Sequence, residues 1–209
     1  MTEEYLIYLV LLLTVAVIGT IAYQRSGKPF QLLAIYIWVT LASEIMSRII
    51  LLYTSNNSPI YHVYVSVLYV LYTMIYLRLL NPAMRRMLLF SIPLVVSLSI
   101  VNSLFLQPLQ VFPSNMILLV SVLIVFYALL LFRSSLLQPG ERALFKEPFF
   151  WFNTASLFFY TTTFLFWSFF NYFISHHLDL VWLTSLIYYA NLIYYAILGI
   201  ALSIPLFSR

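Results

Sequence analysis

Two full charges stand inside a run that is otherwise apolar. Glu44 and Arg48 lie four residues apart in the stretch Ser43-Glu44-Ile45-Met46-Ser47-Arg48. That spacing and order let a carboxylate and a guanidinium meet on one face of a helix. At 1.5 Å per residue, Glu44 sits roughly 13 Å below the outer end of its helix and Arg48 roughly 7 Å. A charge near the middle of a bilayer costs about 2.5–3.5 kcal/mol on insertion scales, so it should face protein or a water-filled cavity. Two readings stay open. In one, Glu44 contacts a ligand or carries a coupled proton, with Arg48 holding it ionised or binding an anion. In the other, the two neutralise each other and fix helix packing, with Arg48 reaching outward.

Other polar side chains fall at matching depths. The third span offers His62, Ser66, Tyr69, Tyr72 and Thr73. The sixth offers Thr161, Thr162, Thr163, Trp167 and Asn171, and the seventh Trp182, Thr184, Ser185, Tyr188 and Asn191. Counted from the outer ends, Glu44, Tyr69 and Asn191 share one level. With spans 2, 3, 6 and 7 around one centre, Glu44, Arg48, His62, Tyr69, Asn171, Tyr188 and Asn191 become the candidate ligand-binding set of an outward-facing pocket. The plain alternative is interhelical hydrogen bonding, worth about 0.6 kcal/mol per contact on average.

Other chemistries find no support. The chain has no Cys, so disulfides, thiolate metal sites and cysteine nucleophiles are excluded. His62, His176 and His177 sit at the outer rim without a helical His-x-x-x-His pair, and no metal is expected. There is no Gly-x-Ser-x-Gly elbow, no His-Glu-x-x-His and no phosphate-binding loop. The seventh span has no Lys to carry a retinal Schiff base. The expectation is a non-enzymatic protein with no cofactor.

These residues need a frame, and the composition supplies it. Of 209 residues, 64% are apolar and 8% charged, with mean hydropathy +1.00. Soluble domains have about 45–50% apolar and about 25% charged residues. A soluble enzyme and a disordered tail are excluded. Ten Lys and Arg do not make a nucleic-acid surface. A crossing helix needs about 20 apolar residues, and seven segments qualify: 5–23, 30–53, 59–80, 87–106, 114–132, 149–173 and 180–204. Unbroken apolar runs, without alternation, speak against a barrel. The fold expected is therefore all-α: a polytopic, single-domain bundle of seven transmembrane helices.

Prolines punctuate the segments. Pro29, Pro59, Pro82, Pro108, Pro113, Pro139, Pro148 and Pro205 are expected in connections or at helix ends. Pro93 alone is placed inside a span, with a kink. The first span follows an acidic leader, Met1-Thr2-Glu3-Glu4, and reads as a retained helix. Aromatic residues such as Tyr5, Tyr23, Tyr53, Trp151 and Trp182 mark the interfaces. The Phe-rich stretch 149–173 either lines an apolar pocket or faces lipid and neighbouring helices.

Cations fix the orientation. Arg25 and Lys28, Arg78, Arg85 and Arg86, Arg133, Arg142 and Lys146, and Arg209 all fall on one side, nine of the ten in the chain. Glu3, Glu4 and Asp179 mark the other. This asymmetry predicts the N-terminus outside and the C-terminus inside. The 5–6 connection, basic and apolar by turns, is expected on the inner leaflet or against a cytoplasmic signalling partner.

An internal comparison adds a second expectation. At an offset of 119 residues, Tyr53, Ser66, Tyr69 and Tyr76 match Tyr172, Ser185, Tyr188 and Tyr195. This admits a repeat of three helices, a linker helix and three more. The plain reading is chance, since 17 tyrosines in apolar helices make a few coincidences expected.

The chain also resembles a family of uncharacterised seven-helix membrane proteins of Bacteroidota. The resemblance rests on Ser43-Glu44, on Asn56-Asn57 leading to His62, on the aromatic sixth span after Trp151, and on Asn191-Leu192-Ile193-Tyr194-Tyr195. It implies an inner-membrane protein working beside a signalling partner, and it transfers no catalytic residue. The function expected is a small receptor-like or sensory subunit that binds a small-molecule ligand and contacts membrane lipids. A small-solute transporter built from two three-helix halves, or a structural subunit of a larger membrane complex, are the alternatives.

Overall fold

The structure, a computed structural model, describes residues 3–137, 144–177 and 179–207. Among them the regular structure is entirely helical: α1 Glu3–Ala22, α2 Lys28–Thr54, α3 Ser58–Leu79, α4 Arg85–Val101, α5 Ser114–Leu137, α6 Pro148–Ser175 and α7 Val181–Phe207. Seven helical segments are long and apolar enough to cross a membrane. The fourth, Pro82–Leu106, reaches that length because α4 is preceded by a 3-10 turn, Pro82–Met84, and continues into a π-helical turn, Asn102–Leu106.

The ends of the helices follow from local chemistry. Pro29, Pro59 and Pro148 open α2, α3 and α6, where the missing N–H would have had no helical partner. The Asn56 side chain accepts from the Ser58 N–H at 2.9 Å, and Asp179 accepts from the Val181 N–H at 2.8 Å. Each carries an amide that the first turn leaves over. Ser55 ends α2 in the left-handed region, with φ 56°.

Two placements differ from the sequence reading. Pro205 lies inside α7 rather than beyond it; near a helix end it deprives only a carbonyl in the last turns of its donor. Arg133 belongs to α5, which runs on to Leu137. Pro93 is inside α4, as expected. Pro139, Arg142 and Arg209 lie outside the described residues.

The principal contacts run α1–α2–α3–α5–α6–α7 and back to α1. Six helices thus form a closed ring in chain order. α4 stands outside it against α3. Where α1 crosses its neighbours the contact is close. A Cβ on Gly19 would stand 3.1 Å from the Cβ of Ala34 in α2, and one on Gly199 in α7 would stand 3.3 Å from Val15. Small residues allow backbones this proximity inside a membrane, where dispersion replaces the hydrophobic effect as the force between helices.

The two ends of the bundle differ in charge. Arg25, Lys28, Arg78, Arg85, Arg86 and Lys146 gather at one end. Glu3, Glu4 and Asp179 mark the other, called the acidic end below. Toward the basic end the core is built on tyrosine. Tyr36, Tyr69, Tyr72, Tyr76, Tyr127 and Tyr194 are among the largest fully buried side chains.

Candidate functional site

The acidic end opens into a cavity of about 370 Å³. Tyr5 and Tyr8 of α1, Glu44 and Arg48 of α2, and Tyr188 and Asn191 of α7 line it. The start of α3 closes one side. There Asn57 Nδ2 donates to Ser47 Oγ at 2.6 Å, and Ser47 Oγ donates to the Tyr61 hydroxyl at 3.3 Å. A second cavity of about 160 Å³ lies deeper. One water needs about 10–15 Å³ of such space, so the chamber has room for a small organic molecule. Tyr8, Glu44, Tyr61 and Asn191 line both cavities and stand at the neck where the two adjoin.

Glu44 is half-buried at this neck, and its partners are not those expected. Among the described residues no basic nitrogen comes within 4.0 Å of its carboxylate. The mutually neutralising pair with Arg48 does not form. Tyr5 and Tyr8 of α1 take its place. The Tyr8 hydroxyl donates to Glu44 Oε1 at 3.4 Å, and the Tyr5 hydroxyl to the Glu44 backbone carbonyl at 3.4 Å. Both contacts are long, hence weak. The Arg48 guanidinium carbon lies 3.7 Å from the centroid of the Tyr5 ring, where the face of the π-system attracts the cation. The i, i+4 spacing brought both groups to one face of α2, and the tyrosines of α1 then separated them.

The inner chamber is walled by rings. Tyr36, Tyr64, Phe159, Tyr160, Trp167 and Tyr195 all contribute. Phe112, from the connection between α4 and α5, stacks on Trp167 with centroids 4.6 Å apart and lies 4.8 Å from the Tyr61 ring. Three hydroxyls in this wall have no partner: Ser121 Oγ of α5, and Tyr160 OH and Thr163 Oγ1 of α6. These residues are 0%, 3% and 6% exposed. A buried polar group without a hydrogen bond costs about 1–3 kcal/mol. The exceptions in a native fold therefore invite a search for what satisfies them.

The sequence-derived candidates separate by helix face. Glu44, Arg48, Tyr188 and Asn191 come together at the cavities. The amide nitrogen of Asn191 donates to the Ile187 carbonyl of its own helix at 2.8 Å, so the partner required at mid-membrane depth is local. His62 and Tyr69 go elsewhere. His62 Nδ1 is 2.7 Å from Ser103 Oγ and Nε2 is 2.9 Å from the Val111 carbonyl. It ties α3 to the π-turn and to the connection that carries Phe112. The Tyr69 hydroxyl is 2.8 Å from that of Tyr127, which is 2.9 Å from Ser91 Oγ. The reason is rotation about the α3 axis. Tyr61, Tyr64, Val65 and Leu68 form the i, i+3, i+4, i+7 stripe that faces the chamber. His62, Ser66, Tyr69, Thr73 and Tyr76 form the next stripe, buried or half-buried toward α4 and α5. The side chain of Asn171 lies outside the described residues.

Tyr8, Thr40, Tyr61, Tyr64 and Ser121 add to the two compartments without having been singled out from sequence. The α3 stripe was the available signal. The Phe-rich sixth span serves both uses envisaged for it: Phe159, Tyr160 and Trp167 line the chamber, while Phe158, Leu165 and Phe169 are exposed on the bundle surface. Among the described residues no group of three metal-ligating side chains occurs. Compared with known protein families, with curated proteins and with solved structures, the chain matches none.

Proposed function

We propose that this membrane protein is a small, non-enzymatic receptor-like or sensory subunit of a bacterial inner membrane, which takes a small molecule from outside into the chamber below Glu44. One observation carries the reading. Two neighbouring cavities at the acidic end share a carboxylate that has no ion-pair partner among the described residues, and the deeper one is walled by three residues whose buried hydroxyls bond to nothing. A pocket that is concave, mostly apolar and furnished with a few convergent polar groups is the usual form of a ligand site. The orientation rests on the basic end facing the cytoplasm, where a signalling partner would bind.

A second reading, a small-solute transporter built from two three-helix halves, draws on the ring. α1–α3 and α5–α7 supply all six of its members and α4 stands aside, an arrangement compatible with two repeats joined by a linker helix.

The chain has no native cysteine, so one introduced thiol reports on one position. Thr163→Cys places a thiol in the chamber wall. A membrane-impermeant thiosulfonate should label it in right-side-out vesicles and leave it untouched in inside-out vesicles. Labelling from both sides supports the transporter instead. Failure to label from either side, with the variant folded, removes the pocket and both readings with it.

A further inference from the structure

We propose that the chamber selects a small organic ammonium ion, an amine or quaternary amine that also carries an oxygen able to hydrogen-bond. This specifies the ligand for the outward-facing pocket described above and rests on that reading.

Three independent features specify the ligand, two pointing to a cation and one to an oxygen it carries. The first is Glu44. Its carboxylate stands at the neck, lines both compartments, and has no basic nitrogen within 4.0 Å among the described residues. A carboxylate withdrawn from water is stabilised by a positive partner, and among the described residues Arg48, which shares the outer cavity, acts on Glu44 at a distance without pairing directly. Glu4 adds a second carboxylate to the outer cavity, so a cation entering from the acidic end moves from one negative charge to the next.

The second is the wall. Tyrosine, tryptophan and phenylalanine rings surround the space below Glu44. Ring faces are electron-rich, and several rings around one site are the general solution for holding an ammonium group that has lost its water. The rim demonstrates the same attraction within the chain, where the Arg48 guanidinium lies over Tyr5. Arg48 is one helical turn nearer the acidic end than Glu44, so its charge marks the entrance and leaves the chamber floor to the ligand. An anion drawn in by Arg48 would still have to pass Glu44 and then meet ring faces, and both repel it.

The third is the set of orphaned hydroxyls. Ser121 Oγ, Tyr160 OH and Thr163 Oγ1 come from α5 and α6, helices other than the one that carries Glu44. A ligand that is only a cation would leave all three unsatisfied. A ligand with an oxygen beyond its ammonium group satisfies one or more while its charge stays with Glu44.

The test uses Thr163→Cys, or Ser121→Cys if the first variant fails to fold, in the full chain reconstituted in lipid vesicles. Labelling rates are measured with a trimethylammonium-ethyl thiosulfonate and with a sulfonatoethyl thiosulfonate, each divided by its rate with a free thiol in solution. The cationic reagent should be favoured by about tenfold or more. Adding Glu44→Gln should remove most of that preference. Choline should protect the thiol in the Glu44 background, and its uncharged analogue, with carbon in place of the quaternary nitrogen, should protect far less. Equal normalised rates for the two reagents, or equal protection by choline and its analogue, overturn the ammonium ion and leave the pocket standing. A preference for the anionic reagent overturns it in favour of Arg48 as the selecting charge. No labelling by either reagent overturns the pocket itself.

Discussion

Toward the basic end of the bundle, buried hydroxyls are joined to one another. Tyr194 donates to Tyr36 at 3.1 Å and also contacts Tyr72, which lies 3.4 Å from Ser156 Oγ. Tyr76 donates to Asn153 Oδ1 at 3.0 Å, and Asn153 donates onward to the Ala128 carbonyl at 2.9 Å. Toward the acidic end, Tyr160, Ser121 and Thr163 are as deeply buried and bond to nothing. Ser26 and Thr73 are orphans on the basic side, yet neither lines these two cavities. The same residue types thus do two jobs. Where tyrosine meets tyrosine across helices, the polar atoms are satisfied and the space is filled, and the result is stability. Where hydroxyls stay unbonded in residues that wall a cavity, stability is forgone and polar groups are left over beside the space.

The largest effect should come from truncation on the filled side. Tyr72→Ala removes a ring packed against Tyr36, Phe152 and Tyr160 and should cost about 3 kcal/mol of stability, read as unfolding by denaturant in detergent micelles. Tyr160→Ala, the same truncation at the chamber wall, should cost clearly less, because one side of that ring already faces a void. Equal losses would erase the distinction between the two halves.

Deleting single hydroxyls gives a smaller and sharper contrast. Tyr194→Phe should destabilise by about 0.6–1.7 kcal/mol, the range for interhelical hydrogen bonds in membranes. Thr163→Val should leave stability unchanged or raise it, since it removes a buried group that had no partner. A loss from Thr163→Val comparable to that from Tyr194→Phe would show that Thr163 is satisfied within the protein.

His62 links the halves and should show an intermediate phenotype. His62→Leu removes two side-chain hydrogen bonds and frees the connection holding Phe112 against Trp167. Melting temperature should fall slightly, and an introduced thiol at Thr163 should react a few times faster. An unchanged reaction rate would detach His62 from the chamber. The smallest effect on stability is expected at the most polar site: Glu44→Gln should shift unfolding by no more than about 0.5 kcal/mol, because its side chain accepts one long tyrosine bond rather than forming an ion pair. A large loss would return Glu44 to a packing role.

The spans were readable from hydropathy because a lipid-facing helix must satisfy its backbone within itself, leaving length and apolarity as sufficient signals. Pro29, Pro59 and Pro148 marked their starts for a local reason. Depth grouped Glu44, Tyr69 and Asn191, of which Glu44 and Asn191 share a site while Tyr69 turns to Tyr127. Rotation was not readable. Tyr69 and Leu68 differ by one residue and by about 100° around the axis. The choice of which one faces the chamber depends on where α4 and α5 settle, which no count from the helix end contains. The failed Glu44–Arg48 pair has the same origin. Spacing along α2 predicts that the two can meet, but Tyr5 and Tyr8 arrive from α1, and only the packing of that helix decides the outcome.

α4 touches neither cavity and packs on the outside of α3, so by its contacts it is the most dispensable of the seven. Its count in the chain says otherwise. Each crossing reverses the direction of travel, and three crossings leave the chain at the end opposite to its start. The fourth restores parity, so that α5 enters from the same end as α1 and brings Ser121 down from the acidic side, with Arg133 and Lys146 at the basic one. Removing α4 would turn α5, α6 and α7 upside down, aim their basic residues at the wrong face, and split a chamber whose walls come from both sides of the deletion. A helix outside the ring thereby sets the polarity of half the ring.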